Sequence, residues 1–236
     1  NVDAIVEGSA LLVDERVRIN AQLINAKTDE HLWAEEYERS FQDILLLQKE
    51  VARAIASEIR IVMTPDEETQ LNRIQPINPE AKKAYLKGLH FIYRWTEADV
   101  KKGIYFFKET INQDSLYAPA YVGLSIGYLN LMYHNWMSPN EGLLLMEMAA
   151  KKAIEIDDTL AEAYGILGIV KYIHHWDWKG AELQFKQSLA HNSGSANVHL
   201  FYGWFLSLMK RHEEAIEELN LAKELDPLSI RIWESA

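Results

Sequence analysis

The chain has 236 residues, 48% of them hydrophobic, no cysteine and a formal net charge of −11, which fits a soluble globular protein of one or two domains. The missing cysteines exclude disulfides and thiolate chemistry. The acidic balance argues against nucleic-acid binding, which needs cations opposite phosphates. Neither fact fixes the compartment; cytoplasm is slightly favoured over periplasm.

The first 40 residues have a period of two. Ala4 to Val13 reads as a strand, Asp14-Glu15 as a tight turn, and the alternating run Arg16 to Leu23 as a strand with one buried face. A turn over Asn25 to Glu30 leads to a third strand, His31 to Glu38. Ser40, with Asp43 three residues on, is expected to cap a helix carrying Ile44, Leu47, Val51, Ile55 and Ile59 on one stripe, through about Val62. Three strands and a helix bury little, so the rest of the sheet is expected upstream or from a second chain. The opening Asn1-Val2-Asp3 and the C-terminal Leu228 to Ala236, which reads as the start of a fifth helix pair, suggest a piece of a longer protein. Thr64 to Pro79 reads as a linker.

From about residue 80 a degenerate repeat takes over. Its last copy reads His199, Tyr202, Gly203, Leu206, then Ala215, Leu219, Ala222 and Pro227. The copy before reads Tyr164, Leu167, Gly168, then Ala181, Phe185 and Ser188; the second reads Tyr121, Leu124, Ser125, Tyr128, then Met146, Ala150 and Ala153. The first reads Ala84, Gly88, Phe91, then Gly103, Phe107 and Thr110. Small residues at Gly88, Ser125, Gly168 and Gly203 let a helix A approach a helix B, and Gly103, Ala181 and Ala215 answer them, Met146 being the exception. Phe107, Phe185 and Leu219 fill the space between successive A helices. The small residues are 37, 43 and 35 apart, which places insertions in the A–B loops near Trp95–Ala98 and His134–Pro139. Ser115 to Asn140 carries no charge, but its prolines, asparagines and repeat phase mark a buried helix and loop rather than a membrane span.

These marks resemble the tetratricopeptide pattern, whose period is about 34 residues. The resemblance implies a mainly α chain: a right-handed helical superhelix of about four repeats over 80–236, after a partial α/β segment over 1–63 and a linker over 64–79. That segment has its own resemblance. Val6-Glu7-Gly8-Ser9, the run Arg16 to Ala26 and Glu30-His31-Leu32-Trp33-Ala34-Glu35 are similar to the C-terminal part of the TolB-like (FlgO-like) domain. In bacteria that domain often precedes tetratricopeptide repeats in CadC-type regulators and in cyclase- or kinase-linked proteins. None of those effector motifs occurs in this chain. The family brings no catalytic residues to these positions.

Chemistry is sparsely signalled. There is no phosphate loop and no HExxH motif. His174-His175-Trp176-Asp177 puts two adjacent histidines at a helix end, pointing apart, with no third ligand at metal spacing. Glu35 and Glu36 fall on opposite strand faces and make no acid–base pair. No catalytic residue, cofactor or metal is expected, and no enzyme. The resemblance instead implies a ligand-facing row on the A helices, three residues before the small residue and one, four or five after. Those offsets give Tyr85, Leu89, Ile92 and Tyr93; Val122, Ile126, Leu129 and Asn130; Gly165, Ile169, Tyr172 and Ile173; and Leu200, Trp204, Ser207 and Leu208. The peptide-groove set is Tyr85, Leu89, Tyr93, Val122, Ile126, Ile169, Tyr172, Leu200, Trp204 and Leu208. It holds no basic residue, unlike a clamp for a peptide carboxylate. It predicts an apolar and aromatic groove for a protein or peptide with an apolar segment. The alternative is a self-association element that dimerises its parent and has no separate ligand.

Overall fold

The computed structural model describes residues 4–14, 16–40, 43–58, 78–94, 96–227, 229 and 232. The chain divides into two compact units, 1–79 and 80–236.

In the first unit β1 (Ala4–Val13), β2 (Arg16–Asn25) and β3 (His31–Ser40) form an antiparallel sheet in the order β1-β2-β3, with Val13 opposite Arg16 and Ile19 opposite Tyr37. Alternation along β2 buries Val17, Ala21 and Leu23 on one face. Helix α1 (Ile44–Glu58) lays Leu47 and Val51 against Val17, Ile19 and Tyr37. On the other face Arg16 and Arg18 reach Glu36 and Glu38 at 2.6–3.1 Å, and Gln22 donates to Glu7. These pairs are exposed, so each adds little stability. Glu35 accepts from the Tyr37 hydroxyl, while its neighbour Glu36 pairs with Arg18 across the sheet. Ser40 ends β3 opposite Arg16, and α1 begins at Ile44; residues 41 and 42, on which the expected cap depends, lie outside the described residues. Ile59, Val62 and most of the 64–79 segment lie outside the described residues.

The second unit is four antiparallel helix pairs: α2 (Pro79–Ile92) with α3 (Glu97–Gln113), α4 (Ala118–Tyr133) with α5 (Pro139–Ile156), α6 (Ala161–Ile173) with α7 (Trp178–His191), and α8 (Ala196–Leu208) with α9 (His212–Leu225). Missing Cβ atoms set the packing. A Cβ at Gly88 would stand 2.5 Å from the Phe107 ring, and one at Gly123 would stand 2.6 Å from it on the other side. Phe107 is thus a wedge between two successive A helices. Gly168 faces Phe185 at 2.9 Å and Gly203 faces Leu219 at 2.8 Å in the same way. Ser125 fills this position in the second repeat, and its hydroxyl donates to the Tyr121 and Met146 carbonyls. The large Met146 is accommodated because the next position on that face, Phe in repeats one and three, is Ala150; both are fully buried.

The connections are as regular as the core. Each B helix runs into a four-residue link, 114–117, 157–160 or 192–195. Each link opens on Asp114, Asp157 or Asn192, whose side chain accepts from the backbone N–H two residues on. The first large residue of the next repeat then ties the link down. Tyr121 donates to the Ser115 carbonyl, Tyr164 to Asp158 and His199 Nε2 to Ser193, all six residues back. At the other edge Thr96, Ser138 and Asp177 accept from backbone N–H groups and cap the starts of α3, α5 and α7. The A–B turns of the last three repeats pass through Asn135, Trp176 and Lys210 at φ 59°, 56° and 61°. The inserted residues of the first two repeats are not mainly loop. They lengthen α3 to 17 and α5 to 18 residues, against 14 in α7 and α9. Continuing a helix satisfies their backbone groups, which a longer loop would leave to water.

Gly88→Ala should cost about 1–3 kcal/mol, because the Phe107 ring has Gly123 behind it and cannot retreat; a denaturant titration reads this directly. His199 gives a pH signature. Glu218 and the Ser193 carbonyl both accept, so both ring nitrogens must donate, and the carboxylate raises the ring's pKa above the ordinary 6.5 against the opposing effect of burial. A raised folded pKa contributes stability that is complete below the unfolded value and lost as pH rises through the folded one. Wild-type unfolding free energy should therefore fall, relative to His199→Ala, as pH climbs above 6.5.

Candidate functional site

Successive A helices pack on one another, α4 on α6 and α6 on α8, as well as on their B partners. One cleft along this row of A helices draws on all four repeats. It is lined by Tyr93 just beyond α2, Ile126 of α4, Glu162 and Ile166 of α6, and Asn197, Val198 and Phe201 of α8.

Of the ten residues expected to face a ligand, Tyr93 and Ile126 stand in this cleft. The other eight are placed differently from one another. Val122, Ile169 and Leu200 are buried among the helices, Leu200 completely, beside Ala222 and Ile232. Leu208, at 57% exposure, is open. Tyr85, Leu89, Tyr172 and Trp204 are half-buried. The Tyr172 ring lies 5.5 Å from that of Phe205 and 6.2 Å from that of Trp178, and burial pushes its phenol up to about 12. Tyr85 meets Tyr117 edge-on at 5.0 Å; burial above all, then the charges of Tyr93 and Glu162, push its phenol up to about 12 as well.

Sequence reasoning missed Glu162, Ile166, Asn197, Val198 and Phe201. They sit two to six residues before the small residue, one turn toward the helix start from the row used. The row six residues before reads Lys82, Pro119, Glu162 and Asn197, so the face carries charge as well as apolar surface. Lys82 is not open: its Nζ donates to the Tyr117 hydroxyl at 3.4 Å and lies 5.7 Å from the Tyr85 ring centre, and burial lowers its pKa. Glu162 Oε1 accepts from Ser195 Oγ at 3.2 Å.

The histidine pair of the third repeat is structural in its contacts: His175 Nε2 lies 2.9 Å from Glu147, and Asp177 caps α7 and pairs with Lys171. Among the described residues no three His, Cys, Asp or Glu side chains converge as metal ligands, and no helix is long and apolar enough to cross a membrane.

No family model matches the chain. Over 166 residues it is 28% identical to putative adenylate cyclase 3 of Rhizobium meliloti, covering 70% of this chain and 28% of that protein. Over 187 residues it is 25% identical to the transcriptional regulator HilA of Salmonella typhimurium, covering 79% and 33%. The chain thus spans about a third of the length of these curated relatives. Among solved structures, a thermophilic TPR protein of Thermus thermophilus is similar at a TM-score of 0.53 and 17% identity, covering 82% of this chain and 94% of that one. The likeness shows the fold: the helix pairs form a tetratricopeptide-repeat superhelix, with a small three-stranded sheet at the N-terminus.

Burial separates framework from surface within one row. Leu200→Ala should cost about 2–5 kcal/mol, whereas Leu208→Ala should stay within about 0.5 kcal/mol of wild type; thermal or urea unfolding of the two variants measures the difference.

Proposed function

We propose that this chain is a non-catalytic binding module of a larger bacterial signalling protein, and that it takes a protein or peptide segment along the inner face of its A helices. The observation that carries this reading is the composite cleft, to which all four repeats contribute side chains. Among its lining residues Ile166, Val198 and Phe201 are buried in the helix packing, while Tyr93 keeps an exposed ring and Glu162 is half-buried; an exposed aromatic anchor at such a cleft suits an interaction site. The relatives support the setting. One is named a putative adenylate cyclase and another a transcriptional regulator, and in each this chain aligns with a minor part of a longer protein. The TolB-like resemblance of residues 1–63 supports the same setting.

A second reading is self-association, and the edge of the sheet favours it. Strand β1 pairs only with β2 among the described strands, and Ile5, Val6, Leu11 and Val13 along it are 46–58% exposed. Such an edge invites another strand.

The two readings separate experimentally. Tyr93→Ala should weaken capture of fluorescein-labelled amphipathic peptides by about 1–2 kcal/mol, as loss of an aromatic anchor does, and leave the melting midpoint nearly unchanged. Under self-association, multi-angle light scattering would show a dimer that Leu11→Lys dissociates, and Tyr93→Ala would change nothing.

A further inference from the structure

Glu162 is the unusual carboxylate of the array. The other half-buried glutamates of the repeats are mostly matched by cations. Glu147 has Lys151 and His175, Glu182 has Lys186 and Arg211, and Glu218 has His199. Glu162 has a hydroxyl, that of Ser195, and among the described residues no ion pair. It stands in the first turn of α6, where the helix dipole favours a negative charge. That explains why the charge is tolerated but not what it serves in a cleft otherwise lined by Tyr93, Ile126, Ile166, Asn197, Val198 and Phe201. The lysine on the equivalent row, Lys82, is turned onto the Tyr117 hydroxyl and the Tyr85 ring.

We propose that the cleft selects a peptide segment bearing one lysine or arginine, whose cation pairs with Glu162 while an adjacent apolar side chain packs on Tyr93 and Ile126. This rests on the reading of the inner face as a peptide site and adds the chemistry of its occupant. The charge complementarity is local. One carboxylate with a single hydroxyl donor keeps acceptor capacity for a charged donor. Glu162 is half-buried, so a pair formed there is stronger than one on fully open surface. An acidic segment would meet that charge unscreened and be rejected.

The test uses three fluorescein-labelled amphipathic peptides, identical except for lysine, norleucine or glutamate at one central position, titrated against the full chain by anisotropy. The lysine peptide should bind about tenfold more tightly than the norleucine peptide, and the glutamate peptide least. Glu162→Gln, which keeps the shape and the Ser195 bond, should erase the lysine advantage without weakening the norleucine peptide. Glu162→Lys should reverse the order of lysine and glutamate. The lysine advantage should shrink as salt is raised. Equal binding of all three peptides, with Tyr93→Ala weakening each, would overturn the charge selection and leave the peptide site standing. No binding by any of them would overturn both.

Discussion

Everything in the repeat array depends on how closely an A helix can approach its B partner. That distance is set by atoms that are not there. Gly88 and Gly123 together make a slot for the Phe107 ring, and Gly168 makes the corresponding surface for Phe185. The ring then touches both its own A helix and the next: Phe185 lies 5.4 Å from the Tyr202 ring and 5.5 Å from that of Phe205. One contact therefore fixes two spacings, within a repeat and between repeats. This is why the unit is a stack in which each pair depends on its neighbours.

The corners carry that geometry from pair to pair. An Asp or Asn at the end of each B helix folds the link, and a Tyr or His on the next A helix holds the link by a carbonyl six residues back. Around the cleft the A helices keep a packing duty beside any other: Ile166, Val198 and Phe201 are buried in the core, while Tyr93 and Glu162 retain accessible surface. The Arg211–Glu182–Tyr202 cluster, by contrast, binds α7, α8 and the last turn together and holds the Glu182 carboxylate down at about 2, through Lys186 and Arg211.

Much of this fold is legible in the sequence because its packing rules are local. A small residue that lets one helix touch its partner recurs in every repeat, as Gly88, Ser125, Gly168 and Gly203, and so the helix pairs can be counted from the residues alone. The strands are legible for the same reason, since one buried face imposes a period of two on β2. What escapes is of two kinds. The recurring Asp114, Asp157 and Asn192 are plain in the sequence, but their role in folding the links is not, because a polar residue between helices is easily taken as mere loop. The cleft is legible in part. Offsets from the glycine find Tyr93 and Ile126, but neighbouring A helices cover parts of that row, and burial of Val122, Ile169 and Leu200 depends on contacts with other repeats that no single-helix count contains.

The two edges of the array differ in kind. Links from B to A are uniform in length and doubly bonded, whereas the turns from A to B differ in length and their flanking helices grow and shrink by several residues. Through those changes Asn135, Trp176 and Lys210 keep one left-handed corner, and Trp176 stands 71% exposed upon it. The array thus has a fixed edge and a permissive one. Extra sequence spliced into the permissive edge would ride on the outside of a turn whose exit direction is already set. A reporter, an affinity tag or a second recognition loop could be carried there in the last three repeats, away from Tyr93, which lies in the A–B turn of the first.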